Sequence, residues 1–159
     1  MSGYLLDTNV AIIALTDPDR LSAVIQSAIL AGPNVLSVVS YWEVLLKSMK
    51  GNLMKVGDPR AWWLDALEQL AATPLALRPN HIAEIYTLPD IHKDPFDRAL
   101  IAQASVEGLD IVTLDAGIPR YASARVRVLS RPTATRSTVR KSRSSSPDWP
   151  GHSELQPRR

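Results

Sequence analysis

The sequence predicts a single α/β domain in which helices cover both faces of a parallel β-sheet. Short apolar runs of strand length alternate along the chain with longer segments of helical length. The runs are apolar throughout, which is typical of strands buried on both faces. With 159 residues, 45% of them hydrophobic, the chain is long enough for one domain with a sizeable core. We find no internal repeat and no second domain.

Five strands and three helix starts are predicted in chain order. The strands are YLLD near residues 3–7, NVLSVV at 34–39, TPLAL at 73–77, DIVTLD at 110–115 and VRVLS at 126–130. Capping signals mark the helix starts: Ser40 with Glu43 three residues later, Asp58 before Pro59, and Asp94 before Pro95. Gly108 is expected to end the last of these helices.

The carboxyl-terminal segment differs in composition from the rest of the chain. Residues 131–159 hold 7 Lys and Arg against 2 Asp and Glu, whereas residues 1–130 hold 11 against 14. The segment is rich in Ser, Pro and Arg and lacks apolar periodicity, so we predict a domain over 1–130 and a disordered basic tail over 131–159. The tail either adds affinity for phosphate backbones or is a solvated appendage without a specific role.

Composition also limits the environment and the kinds of site. The chain has no cysteine, so disulfides and thiolate metal sites are excluded, which is compatible with a reducing cytosol. The apolar runs are too short to span a bilayer, and Asp7 interrupts the stretch where a signal peptide would need apolar residues. We therefore expect a cytoplasmic protein with no membrane partner.

Four acids are predicted to lie on one rim of the sheet. Asp7 and Asp115 close predicted strands, and Glu43 and Asp97 fall in the first turns of predicted helices. In an open parallel sheet, ligands bind at the edge formed by the carboxyl ends of the strands, where the helices begin. Like charges gathered there need a cation or protons to neutralise them.

Oxygen ligands without His or Cys favour Mg²⁺ or Mn²⁺, and such an ion suits phosphodiester hydrolysis by an activated water. Supporting polar residues near the same rim are Thr8, Asn9, Ser40 and Thr113. Three of the four acids also have a purely structural explanation, whereas Asp7 ends a buried strand and needs a partner. Glu43 completes a capping box with Ser40, Asp97 opposes the helix macrodipole, and Asp115 forms a turn.

Several other polar and aromatic residues have more than one possible role. Lys47, Lys50, Lys93 and Arg98 are candidates for contacts with RNA phosphates or are solvated charges, and Arg98 alternatively pairs with an acid. His81 and His92 are expected to be structural or solvated, although His92 lies near the rim and keeps a catalytic alternative. Helical spacing places Trp63 in the core and makes Trp62 either a candidate for a protein-interaction surface or a partly buried residue at the edge of the fold.

Four segments together resemble a known family. YLLDTNV at the amino terminus, SVVSYWEVLLKSMKGNL from Ser37, HKDPFDRALIAQA from His92 and IVTLDAGIPRY from Ile111 resemble the PIN-domain ribonucleases, and within them the VapC toxins of bacterial toxin–antitoxin pairs. The resemblance covers about residues 3–130. It implies a PIN-like α/β/α sandwich and a Mg²⁺- or Mn²⁺-dependent endoribonuclease with Asp7, Glu43, Asp97 and Asp115 as its acids. It also implies a homodimer that is inhibited by a cognate VapB-type antitoxin.

Two alternatives to a metal-dependent endoribonuclease remain open. One is a phosphatase or receiver-type domain built on a phosphorylated aspartate; Asn9 stands where the phosphatases need a second aspartate, which argues against them. The other is a PIN-like module that binds RNA or a partner without cutting, against which the presence of all four acids argues.

Overall fold

A computed structural model of the chain describes residues 3–52, 56–123 and 125–130. The tail predicted over 131–159 lies outside the described residues, so its predicted disorder stays a prediction. In chain order the strands and helices are β1 (Tyr4–Leu6), α1 (Thr8–Thr16), α2 (Ala23–Ala31), β2 (Asn34–Ser37), α3 (Val38–Met49), α4 (Pro59–Gln69), β3 (Ala72–Leu75), α5 (Pro79–Thr87), α6 (Pro95–Glu107), β4 (Asp110–Val112) and β5 (Arg127–Leu129). Short 3-10 helices span Pro18–Arg20 and Ile118–Tyr121.

The five strands form one parallel sheet in the order β3-β2-β1-β4-β5. The predicted α/β class and the parallel sheet are therefore confirmed. Pro74 lies in β3, at the edge of the sheet, which is where a residue without a backbone N–H is tolerated. No helix within the described ranges has the length and apolar character needed to cross a lipid bilayer.

The sheet has a hydrophobic core on each face because successive side chains of a strand point to opposite sides. Leu6 of β1 and Val112 of β4 belong to one core, together with buried residues of α1, α2 and α4. Leu5 and Ile111, one position earlier on the same strands, belong to the other core, with buried residues of α6. The alternation fixes the register of the central strands, because a slip by one residue would exchange the two faces.

The junction between β2 and α3 differs from the prediction. The strand ends at Ser37 and the helix begins at Val38, because the Ser37 hydroxyl accepts the Val39 N–H at 3.0 Å and caps the helix. Ser40 is therefore inside α3 and is not its N-cap. The capping-box interpretation of Glu43 is wrong, and Glu43 lies in the second turn of the helix, not the first.

The start and end of α6 follow the sequence signals. Asp94 accepts the N–H groups of Phe96 and Asp97 at 2.9 and 3.3 Å, and Pro95 occupies the first helical position. Gly108 ends the helix in the left-handed conformation, with φ of 66°, which costs glycine little.

The assignment of the two neighbouring tryptophans of α4 was wrong. Trp62 is buried in the core that α4 shares with α1, whereas Trp63 is only partly buried and stacks on Tyr41 with ring centroids 5.0 Å apart. The helix is rotated relative to the predicted face because Trp62, Ala66 and Leu70 form the buried stripe. Trp62 is therefore unavailable for a dimer or antitoxin surface.

Candidate active site

The carboxyl ends of β1 and β4 form the point at which the order of the strands reverses. From β1 the chain adds β2 and β3 on one side, and then returns to place β4 and β5 on the other. The crevice outside such a switch point is the usual binding site of an open parallel sheet. Asp7 directly follows β1, and Thr113 and Asp115 follow β4.

Asp7 is buried and held by a residue from the neighbouring strand end. Its Oδ2 accepts a hydrogen bond of 2.8 Å from the Thr113 hydroxyl, and only 2% of the residue is exposed. The Thr113 Oγ1 in turn accepts the Asp115 N–H at 2.9 Å. Thr113 thereby links Asp7 to the loop that carries Asp115.

Asp97 lies in the first turn of α6 with its carboxylate aimed into the cluster. Its Oδ2 is 3.1 Å from His92 Nε2, and the residue is 8% exposed. The N-terminal N–H groups of the helix are capped by Asp94 and not by Asp97. A position opposite the macrodipole therefore does not by itself explain the burial of this acid.

Asp115 lies in the loop after β4 and makes two sets of contacts. Its Oδ1 accepts the Gly117 and Ile118 N–H groups at 2.6 and 3.3 Å, as the turn interpretation predicts. The same oxygen lies 3.6 Å from His92 Nε2. Its side chain is 35% exposed, against 12% for that of Asp97, so Asp115 is the more open of the two acids beside this histidine.

Glu43 reaches the cluster from α3, which contacts α1 and α6. It is 4% exposed, and its Oε2 forms an ion pair of 3.2 Å with Lys47 one helical turn later. Beside it, the Thr8 hydroxyl donates to Ser40 Oγ at 2.9 Å, and both residues are buried. Asn9 lies in the first turn of α1 with an exposed side chain.

The electrostatics of the cluster indicate a lack of positive charge. Burial raises the pKa of Asp97 to about 8, and the charges of Asp7, Asp94, Asp115 and Glu43 add to the effect. Burial also raises the pKa of Asp7 to about 6, reinforced by Glu43 and Asp115 and opposed by the hydrogen bond from Thr113. Asp97 is therefore coupled electrostatically to the other three predicted acids, and Asp7 to Glu43 and Asp115. Without a cation, protons must neutralise part of the cluster.

The donor set fits a hard divalent cation. Carboxylate oxygens dominate the cluster, and the ligand atoms of His92, Asp97 and Asp115 lie within 4.8 Å of one another. Mg²⁺ and Mn²⁺ prefer such oxygen ligands, and an ion would replace the protons that the raised pKa values imply.

Sequence reasoning underestimated His92. It was expected to be structural or solvated, but its imidazole lies between Asp97 and Asp115. No second His or Cys stands at metal-ligand spacing from His92 in the sequence, because its neighbours in the structure are carboxylates. The usable signal was its position two residues before the N-cap of α6, next to the rim.

Arg98 and His81 have structural environments. The Arg98 guanidinium donates to the backbone carbonyls of Ile85, Leu88 and Pro89 and to the Tyr121 hydroxyl, so it holds the segment after α5 in place. His81 is fully buried: its Nδ1 accepts the Arg78 N–H, and its Nε2 lies 2.7 Å from Glu107. The alternative in which Arg98 pairs with an acid is wrong, because these contacts are to carbonyl and hydroxyl oxygens.

The fold and the site together define a class: an α/β protein with a buried acid cluster at the switch point of a parallel sheet. The PIN domain family model matches residues 4–124, most of the described part of the chain. The chain therefore belongs to the PIN domain family, which supports nuclease activity in general terms.

Solved structures with the same fold include VapBC proteins of three bacteria. VapBC2 from Rickettsia felis, bound to a DNA fragment from its promoter, has a TM-score of 0.61 at 13% identity, covering 80% of this chain and 97% of that one. DNA-bound VapBC from Salmonella typhimurium has a TM-score of 0.57 at 15% identity, covering 82% and 98%. VapBC-5 from Mycobacterium tuberculosis has a TM-score of 0.54 at 20% identity, covering 82% and 99%. At these identities the similarity establishes the fold. No curated protein sequence matches the chain at a significant level.

Proposed function

We propose that this protein is a Mg²⁺- or Mn²⁺-dependent endoribonuclease and the toxin of an antitoxin-controlled pair. The observation that carries the proposal is the convergence of Asp7, Glu43, Asp97 and Asp115 from four separate segments, with pKa values of Asp7 and Asp97 raised to about 6 and about 8. Membership of the PIN domain family supports the same class of activity. The domain responsible is assigned to residues 1–130.

In this proposal the four acids hold one or two divalent ions, and Thr8, Asn9, Ser40 and Thr113 support them. When bound, the ion supplies Lewis-acid charge that neutralises the phosphate and lowers the pKa of a water. The Thr113 hydroxyl donates a hydrogen bond to Asp7 Oδ2, and this bond fixes the direction in which the other oxygen of Asp7 points. Thr8 and Ser40 fill the buried space between α1 and α3 without adding charge.

The chain's own residues then provide proton transfer and alignment. A water oxygen attacks the phosphorus, its proton passes to a carboxylate of the cluster, the bond from phosphorus to the leaving oxygen breaks, and the leaving oxygen takes up a proton from solvent. Lys47 is paired with Glu43 and is partly exposed, so its ammonium stands at the edge of the cluster where a phosphate would approach. Lys50 and Lys93 are exposed and remain candidates for the same contacts. Arg98 is excluded from this role by its backbone contacts.

The toxin assignment rests on the resemblance of the four motifs and on the fold shared with VapBC proteins. We propose a homodimer in the cytoplasm, an RNA substrate, and a cognate VapB-type antitoxin as partner. A basic side chain of such an antitoxin would suit an acid cluster in which negative charge is in excess.

The test is cleavage of a mixed RNA pool by the purified protein in Mg²⁺ or Mn²⁺, beside EDTA and an Asp97→Asn variant. Asp65→Asn, a change of the same chemistry at an exposed position of α4, is the matched control. Cutting by the parent and the control, but not by Asp97→Asn or in EDTA, supports the proposal. Equal cutting by all three proteins would remove Asp97 from the site, and absence of cutting by a folded parent on all RNAs tried would favour a binding module.

A further inference from the structure

The last described strand leaves the sheet at the edge that carries the acids. β5 runs parallel to β4, and the Leu129 carbonyl accepts the Thr113 N–H at 3.0 Å. Thr113 is the residue whose hydroxyl donates to Asp7 at 2.8 Å. Because β4 alone separates β5 from β1, the chain leaves β5 about 10 Å from the strand end that carries Asp7.

The sequence after this exit point is strongly basic. Residues 131–143, which we call the basic segment, hold five cations and no acid: Arg131, Arg136, Arg140, Lys141 and Arg143. The basic segment lies outside the described residues, but its point of attachment at Ser130 is within them. An extended chain spans at most about 3.6 Å per residue, so all five cations can lie within about 45 Å of the rim.

The domain itself offers little positive charge to an RNA at this edge. Residues 1–130 hold 11 Lys and Arg against 14 Asp and Glu, and four of these acids form the proposed site. Two of the four cations predicted near the rim are already engaged, since Lys47 pairs with Glu43 and Arg98 donates to backbone carbonyls. A divalent ion offsets charge at the acids, whereas RNA brings a further phosphate with every nucleotide. The basic segment concentrates the positive charge that these flanking phosphates need.

We propose that the basic segment is an RNA-binding arm that contacts the phosphates flanking the bond held at the acid cluster. This inference rests on the proposed ribonuclease function and describes how that site holds its substrate. Contacts from arginine and lysine to phosphates carry no sequence information. The arm therefore adds affinity for RNA of any sequence and leaves the choice of the cleaved bond to the domain.

Salt dependence of RNA binding tests the arm without cleavage. The probe is a short fluorescein-labelled single-stranded RNA of mixed sequence, and its anisotropy is followed in EDTA over a series of NaCl concentrations. The variant Arg136→Gln with Arg140→Gln removes two charges from the basic segment. The matched control, Arg125→Gln with Arg127→Gln, removes two exposed arginines at the amino end of β5, on the opposite edge of the sheet.

Loss of two phosphate contacts should reduce the slope of log affinity against log salt by about 1.4 and weaken binding about 25-fold at about 0.1 M NaCl. The control should keep the slope of the parent. In Mn²⁺, the variant of the basic segment should also raise the KM for cleavage of the same RNA. An unchanged slope, or equal losses in both variants, would overturn the inference. Tighter binding or faster cleavage by the variant would overturn it too, because the basic segment would then cover the acids and exclude RNA.

The inference and the proposed function fail in different ways. A folded parent that binds RNA through the basic segment, but cuts none in Mg²⁺ or Mn²⁺, keeps the arm and loses the nuclease. A parent that cuts RNA, with no change of slope in the variant, keeps the nuclease and loses the arm.

Discussion

Asp97→Asn is expected to stabilise the metal-free protein, although it should abolish activity. Folding transfers Asp97 from water, where its ordinary pKa is 3.8, to a site where burial and neighbouring acids raise the pKa to about 8. At pH 7 the carboxylate must take up a proton to fold, and asparagine removes this requirement.

The size of the effect follows from the distance between the ordinary pKa and the working pH. Three pH units correspond to at most about 4 kcal/mol, and solvent on the open side of the cluster reduces this to about 2 kcal/mol. For a domain of this length, about 2 kcal/mol raises the Tm by about 8 °C. Because the proton is taken up on folding, stability of the parent falls as pH rises from about 4 to about 8, and the advantage of the variant grows over the same range.

Thermal unfolding at pH 5, 7 and 8 in EDTA measures the effect, with Asp65→Asn as the exposed control. Saturating Mg²⁺ should reverse the order, since the parent gains stability by binding the ion and the variant gains less. A variant that is less stable than the parent in EDTA, or an advantage that is independent of pH, would refute the electrostatic reasoning.

Three other changes have defined outcomes. Affinity for Mn²⁺ should rise between pH 5.5 and 8, because Asp7 and Asp97, with pKa values of about 6 and about 8, must release protons to bind it; titration in buffers of different ionisation enthalpy counts those protons, and affinity constant with pH would contradict it. Thr113→Val keeps the shape but removes both the donor to Asp7 and the acceptor of the Asp115 N–H, so it should lower the Tm and slow RNA cleavage about tenfold in protein that is still folded at the assay temperature; an unchanged rate would leave Thr113 with packing alone. Trp62→Ala should lose about 3 kcal/mol or more in urea unfolding, whereas Leu64→Ala, which is exposed on the same helix, should lose little; equal losses would show that the core extends over both faces.

The fold could be predicted because its signals are local. The five strand segments are apolar runs, and α6 is delimited by a capping aspartate, a proline at the first helical position and a glycine at its end. The start of α3 was misplaced because both Ser37 and Ser40 suit an N-cap. The choice depends on where β2 stops pairing with β3, which is a tertiary property. The buried face of α4 was wrong for a similar reason, since several rotations of that helix give an apolar stripe.

Topology alone predicts the four proposed site acids on one rim, and in the structure the charges of Asp7, Glu43 and Asp115 raise the pKa of Asp97. The orientation of each side chain could not be predicted from the sequence. His92 has no spacing pattern that links it to Asp115, and its contact with Asp97 depends on the backbone N–H of Asp94 and on the room left by Gly117.

The hydrogen bond between Thr113 and Asp7 joins residues 106 positions apart. During synthesis Asp7 emerges from the ribosome early, whereas β4 emerges late. In the sheet, β4 lies between β1 and β5. Asp115 follows β4, so a nascent chain holds an incomplete cluster until almost the whole domain has been made. Fragments that end before residue 115 lack the full set of acids, so the proposed site needs the chain at least through β4 and the loop that follows it.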